Sequence, residues 1–210
     1  ALVEQGIEVH STRDSGYEAW EKDLASVAAS GPELIVDDGA ELTLRMARQD
    51  PEKFALLKGV TEQTTTGVAR LTELSNRNML PCPALAANDA ACKHLFDNKY
   101  GTGQSTVQAM LNLTNMLMAG KLVVVLGYGW VGRGIAANVR ALGGTAFVAE
   151  VDPVKALEAF MDGHQVGELS IGLPKADFVI TATGGVRALT RKHFSELKNG
   201  AILANAGHHD

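Results

Sequence analysis

Ionisable and hydroxyl side chains gather where short apolar runs end. Asp38 follows Leu34, Ile35 and Val36; Glu62 and the triplet Thr64, Thr65, Thr66 follow a run ending at Val60; Lys93, Asp97 and Asn98 lie just beyond Asn88 and Asp89; His208 comes after Leu203, Ala204 and Asn205. Such groups, delivered to one crevice by the carboxyl ends of parallel strands, suit proton transfer coupled to a second bond-making step. Each residue also has a plainer reading. Asp38 suits the N-cap of a following helix, and the threonine run suits a cap and first turn. Lys93 and Asp97, four apart, suit a solvated helix pair. His208 alone suits a structural histidine, and His94 and His193 read as surface residues.

A second constellation fixes what the other step is. Gly127, Gly129 and Gly132 form GxGxxG directly after the apolar run Leu122, Val123, Val124, Val125, Leu126, and a helical pattern follows. The first glycine turns the strand, the second lets backbone N–H groups approach a pyrophosphate, and the third lets helix pack on strand. The helix N-terminus then presents unpaired N–H groups to the anion. Glu150 falls at the end of the next strand, about twenty residues on, where a carboxylate accepts from a ribose diol. It would repel a 2′-phosphate, so the expected cofactor is NAD rather than NADP. Tyr128 and Trp130 read as packing, or as a lid over the cofactor.

The elements that must position these residues alternate. The pattern predicts a helix remnant and a short strand over 7–10, a helix over 14–29 closed by Gly31 and Pro32, a strand over 34–36 and a helix over 41–48. A strand over 54–60, a helix over 68–76, a strand over 83–87 and a short polar helix over 93–98 follow. Beyond Gly101, Thr102, Gly103, Gln104 and Ser105, which read as a boundary, come a helix over 106–119 and the dinucleotide unit. A helix over 153–161 and strands over 177–181 and 201–205 complete the chain. A helix is also expected over 170–175, although Ile171, Gly172, Leu173 and Pro174 suit it poorly. Parallel strands need crossovers a helix long, so this order predicts two doubly wound, Rossmann-like α/β domains: a substrate domain over 1–101, taken as partial, and an NAD domain over 102–210.

With 210 residues and 46% hydrophobic content the chain can bury a proper core. A net charge of -5 without a basic run argues against nucleic acid or acidic membranes and for a small-molecule partner. No apolar stretch approaches a membrane span and no leader opens the sequence, so a cytoplasmic protein is expected. Cys82 and Cys92, with no clustered histidine, fit a reducing compartment and give no metal site. The abrupt ends are those expected of a piece of a longer polypeptide.

Taken together, Asp37-Asp38-Gly39, Glu62-Gln63-Thr64-Thr65-Thr66-Gly67, Lys93 with Phe96-Asp97-Asn98, Tyr100-Gly101, Gly127-Tyr128-Gly129-Trp130-Val131-Gly132, Glu150-Val151-Asp152-Pro153, Thr181-Ala182-Thr183-Gly184 and Asn205-Ala206-Gly207-His208 resemble the S-adenosyl-L-homocysteine hydrolases, in order and along essentially the whole chain. Trp130 and Thr102-Gly103-Gln104 resemble the bacterial and archaeal branch. The resemblance implies a homo-oligomer, a tetramer in the family, that hydrolyses S-adenosyl-L-homocysteine by transient 3′-oxidation on NAD and C4′ deprotonation. It implies that Asp38 is the C4′ base, that Lys93 and Asp97 hold and deprotonate the 3′-hydroxyl, and that His208 lies near cofactor and nucleoside. Gln63 would meet the substrate ribose, in place of the family's usual second glutamate. The cofactor contacts it implies are Thr64, Thr65, Thr66, Asn98, Gly127, Gly129, Trp130, Val131, Gly132, Glu150, Asp152, Lys155, Thr183, Gly184, Ala206, Gly207 and His208. Lys155 stands where many members carry asparagine, which relaxes the choice of NAD over NADP. The family's N-terminal histidine and C-terminal Lys/Tyr tail are not among these residues, so turnover by them alone is not implied. Two other readings stand beside this one: a non-catalytic NAD-binding paralogue, and a 2-hydroxyacid dehydrogenase using Arg187 for a carboxylate.

Overall fold

The computed structural model describes residues 2–11 and 16–207. Asp14, where the first long helix was expected to begin, and His208 lie outside the described residues. The chain divides into two compact units, Ala1–Asp89 and Ala90–Asp210, ahead of the division expected at Gly101.

The first unit opens with a 3-10 turn, Val3–Gln5, and residues 7–10 form no strand, against expectation. Helix α1 (Tyr17–Ala29) leads to strand β1 (Leu34–Asp37), α2 (Glu41–Gln49), a short α3 (Pro51–Phe54), β2 (Gly59–Glu62), α4 (Thr65–Asn76) and β3 (Ala84–Ala86). The strand expected over 54–60 begins only at Gly59. Asp50 caps a helical turn by accepting from Lys53 N, and Pro51 stands at its first position, so Phe54 enters the core from a helix. The three strands pair in parallel in the order β1-β2-β3. Ile35, Met46, Phe54, Val60 and Leu71 fill one side of this sheet. Alternation along β1 leaves Leu34 and Val36 exposed on the other.

The second unit starts with a helix of π pitch, Lys93–Thr102, continuing into α5 (Gly103–Thr114). The glycines taken for a boundary sit inside this helical run. A Cβ on Gly103 would lie 2.6 Å from Gly134 Cα, so the Gly103–Gly134 pair lets two helices cross at backbone contact. Helix α5 stops at Thr114, short of the expected 119, because Asn115 takes a left-handed cap with φ 53°. Then follow β4 (Leu122–Leu126), α6 (Trp130–Ala141), β5 (Thr145–Ala149), α7 (Pro153–Met161), β6 (Gln165–Val166), α8 (Leu169–Gly172), a 3-10 turn (Leu173–Lys175), β7 (Phe178–Thr181), α9 (Arg191–Glu196) and β8 (Ile202–Asn205). Gly172 belongs in its short helix because the Phe147 ring passes beneath it, 2.7 Å from where a Cβ would be. The sheet is parallel throughout, in the order β6-β5-β4-β7-β8. From β4 the chain winds one way to β6 and then back through β7 to β8. The order therefore reverses beside β4, and such switch points open a ligand crevice at the strand carboxyl ends. Val123, Val124 and Val125 are wholly buried, as a central parallel strand requires.

Candidate functional site

The glycine turn leaves β4 at its carboxyl end, and its three glycines do different things. Gly127 has φ 94°, and a side chain there would also meet Ala182 O at 3.0 Å. Gly132 lies against Gly127: a Cβ would overlap the carbonyl oxygen and sit 2.9 Å from its carbon. Gly129 faces open space, with nothing within 4 Å of a Cβ. It is also the N-cap of α6, where no side chain caps the first turn. Bare N–H groups above an open glycine are the features a pyrophosphate needs.

Glu150 closes the turn from the next strand. Its carboxylate accepts from Tyr128 N at 2.6 Å, Val151 N at 2.7 Å and Asp152 N at 3.0 Å, which fixes it beside the glycines while leaving capacity for a ribose hydroxyl. Asp152 caps α7, and the N–H groups of Val154 and Lys155 hold its carboxyl below the ordinary carboxylate range. Lys155 Nζ stands 3.5 Å from Asp152 Oδ2. The side chain of Val131 packs toward the core, so only its backbone is offered at the helix start.

Aromatic packing supports the turn from behind. Trp130 stacks on His94, with ring centroids 5.5 Å apart, and the Arg133 guanidinium lies 5.0 Å from the centroid of the Trp130 ring while pairing with Glu158. His94 is thus a half-buried packing residue, not a free surface histidine, and Trp130 takes the packing role. His193 accepts from Thr190 N and completes a capping box. Tyr128 is buried, its hydroxyl donates to Asp162 Oδ2 at 2.7 Å, and burial pushes the phenol well above its usual range. The edge contact of His164 with the Tyr128 ring at 5.8 Å completes this support, and burial holds that imidazole below its usual range. Arg133, Asp162 and His164 carried no sequence signal, because nothing in their spacing ties them to the turn.

At the carboxyl ends of β7 and β8 an open cavity of about 1090 Å³ is lined by Thr183, Ala206 and Gly207, with Thr181, Asn205 and Arg187 among its other walls. Gly184, expected with Thr183, is exposed and is not among the lining residues. Asn205 Oδ1 accepts from Thr181 Oγ1 at 2.6 Å and from Gly207 N at 3.2 Å, so this amide shapes the cavity floor.

Lys93, Asp97 and Asn98 come together. Lys93 Nζ lies 3.2 Å from Asp97 Oδ2 and donates to Asn98 Oδ1 at 3.0 Å. The wider π turn, with its i→i+5 bonding, brings both the fourth and fifth residues round to the lysine. The Lys93 side chain is only 16% exposed, against 57% for Asp97, so this is not a freely solvated pair.

In the first unit the two aspartates after β1 divide the work. Asp37 is buried and accepts from Asp38 N, Leu42 N, Thr43 N and Thr43 Oγ1, the last at 2.6 Å. The helix-capping job considered for Asp38 is therefore done by Asp37. Asp38 is exposed, and its carboxylate has no partner among the described residues. Gln63 is half-buried, with its N–H on Asp37 O. The hydroxyl of Thr64 donates to Glu62 Oε1 and accepts from Gly39 N and Gly67 N. That uses the full capacity of a hydroxyl, which narrows the expected cofactor contacts of the triplet to Thr65 and Thr66. Among the described residues no cluster could hold a metal ion, and no helix is long and apolar enough to cross a membrane.

A doubly wound parallel sheet with an open glycine at its switch point and an acid on the neighbouring strand defines a dinucleotide-binding α/β protein. Residues 98–210 match the family described as S-adenosyl-L-homocysteine hydrolase, NAD binding domain. The chain belongs to that family, and its second unit is an NAD-binding domain. It is 48% identical over 208 residues to an adenosylhomocysteinase of Thermotoga maritima, covering 99% of this chain and 52% of that protein. It is 45% identical over 210 residues to an S-inosyl-L-homocysteine hydrolase of Methanopyrus kandleri, covering 100% of this chain and 50% of that protein. The chain thus spans about half the length of these relatives. Among solved structures, the TT0316 protein of Thermus thermophilus superposes with a TM-score of 0.58 at 18% identity, over 97% of this chain and 68% of that one, a likeness of fold alone.

Proposed function

We propose that the full-length protein catalyses the reversible hydrolysis of S-adenosyl-L-homocysteine to adenosine and homocysteine, a reaction of the methyl cycle. The observation that carries this reading is the Lys93 group, an ammonium held between Asp97 and Asn98 in the same compact unit as the glycine turn. The chemistry that NAD would supply when bound is reversible hydride acceptance at the nucleoside C3′, which would make the C4′ hydrogen acidic.

The Lys93 ammonium donates to the 3′-oxygen and holds it, while the Asp97 carboxylate accepts the hydroxyl proton and, being the more exposed of the two, passes it to water. Asp38, exposed on a fixed loop, removes the C4′ proton, and the thiol then leaves from C5′. The same carboxyl returns a proton once water has added. Gln63 would hydrogen-bond a ribose hydroxyl through its amide, and Asn98 would hold the nicotinamide side of the cofactor. Trp130 and Val131 would offer backbone N–H groups to the pyrophosphate, Glu150 would accept from the adenine ribose, and Asp152 and Lys155 would contact the same part of the cofactor. Thr65 and Thr66, together with Thr183, Gly184, Ala206, Gly207 and His208, are assigned to the nicotinamide half.

The unpaired cysteines Cys82 and Cys92 support a cytoplasmic protein. Val154, Leu157, Phe160 and Met161 leave an apolar face exposed on α7, which supports a homo-oligomer, and a tetramer is our expectation. Relatives named for both adenosyl and inosyl substrates make the purine the first thing to vary. Full-length protein given S-adenosyl- and S-inosyl-L-homocysteine in turn should release thiol from at least one and show NADH only transiently. NAD binding without thiol release from either would establish a non-catalytic paralogue, and net NADH with a 2-hydroxy acid would establish a dehydrogenase.

A further inference from the structure

We infer that Glu62 is a positioning residue for the proposed base: its buried carboxylate locks the loop carrying Asp38 to the segment carrying Gln63 and the threonine triplet. The inference rests on the reading of function given above. Glu62 ends β2 and is wholly buried, and no cation pairs with it among the described residues. Its oxygens accept instead from Gly39 N at 3.1 Å, Ala40 N at 2.8 Å, Thr64 N at 2.7 Å and Thr64 Oγ1 at 2.8 Å. Four donors match the acceptor capacity of an ionised carboxylate. A protonated acid, or an amide, would turn one donor against another.

The position is expensive for a charge, since burial without a cation is costly unless hydrogen bonds replace water in full. What it fixes is the turn after Asp38. Gly39 and Ala40 both take left-handed conformations, φ 72° and 58°, and the second is uncommon for a residue with a Cβ. Glu62 holds both of their N–H groups. From the other side Arg70 Nη1 donates to Gly39 O at 2.8 Å and pairs with Glu41 at 2.6 Å. Asp37 Oδ1 holds Asp38 N at 3.0 Å. The backbone on either side of Asp38 is therefore pinned while its carboxylate stays free, the condition for a base that must keep one geometry without losing basicity to local bonds. Gly67 makes room for the clamp, because a Cβ there would come within 2.6 Å of Glu62 Oε1 and closer still to its carboxyl carbon.

The test separates the two half-steps in full-length protein loaded with NAD: 3′-oxidation, read as NADH formed on adding adenosine, and C4′ proton abstraction, read as solvent deuterium entering adenosine. Wild type must show both; if it shows neither, the reading of function fails before this inference is reached. Glu62→Gln should then slow deuterium entry about a hundredfold, the scale of a misplaced catalytic group, while NADH formation changes several-fold at most. A fold defect alone would lower both in proportion to the folded fraction, followed by circular dichroism. Equal losses in both steps, or deuterium entry at the wild-type rate, would overturn the inference. Where Glu62→Gln does not fold, Gly67→Ala, which crowds the same carboxylate, should reproduce the selective loss; two steps in wild-type ratio there would overturn it equally.

Discussion

Gly129→Ala and Gly132→Ala, three residues apart in one turn, should fail in opposite ways. At Gly132 a methyl group meets the Gly127 carbonyl, 2.9 Å from its carbon, and both partners are backbone. Neither can swing aside, so the helix must move off the strand, at about 1–3 kcal/mol for overpacking of this kind. At Gly129 the methyl meets nothing within 4 Å, and φ of −73° is ordinary for alanine. Stability should therefore be unchanged within about 0.5 kcal/mol, the scatter of surface substitutions. The new methyl stands instead where the pyrophosphate approaches the uncapped N–H groups of α6. Losing one charge-assisted hydrogen bond there costs about 1.5–3 kcal/mol, or about 10- to 150-fold in Kd. Urea unfolding without cofactor and calorimetric titration with NAD separate the two effects. Wild-type NAD affinity in Gly129→Ala, or wild-type stability in Gly132→Ala, would refute the assignment of the three glycines.

Three further substitutions probe other parts of the molecule. Asp38→Asn should leave NAD binding and 3′-oxidation intact and lower thiol release about 10²- to 10⁴-fold, the usual weight of a general base; thiol release at the wild-type rate would remove Asp38 from that role. Lys155→Asn should weaken NADP a few-fold and leave NAD unchanged, in keeping with about 0.2–1 kcal/mol for a half-exposed charge pair; parallel titration of both cofactors decides it. Asp177 joins the starts of β4 and β7 by accepting from Leu122 N and pairing with Lys198, and the Lys198 bond is the main cause that holds its carboxyl below the ordinary range. A lowered folded pKa means that this stability is present above the ordinary carboxylate range and fades as pH falls through the folded value. Asp177→Asn should accordingly lower the urea midpoint at pH 7, with a difference from wild type that shrinks toward pH 3; a constant difference would contradict the linkage.

What could be read from the residues follows from how local each signal is. The glycine turn was legible because its three requirements act within six residues and its strand is apolar throughout. The segment over 54–60 was misplaced because Phe54 and Val60 both face the core, and periodicity alone does not register that Asp50 and Pro51 start a helical turn between them. Gly101 and Gly103 have a linker's composition but lie inside a helix, and Gly103 serves a backbone crossing that depends on Gly134, a residue far along the chain. Glu62 looked like a further member of a titratable cluster, and Asp37 carried no signal of its own beside Asp38. Only burial and the count of donors around them separate the two carboxylates that hold the loop from Asp38, the one left free.

The most direct measurement is rapid mixing of full-length, NAD-loaded protein with S-adenosyl-L-homocysteine, following NADH and released thiol together. NADH should rise and then decay while thiol continues to accumulate, and the rise should be lost in Lys93→Ala. Thiol release with no NADH at any time, or NADH that accumulates without thiol, would contradict a reaction driven by reversible oxidation at C3′.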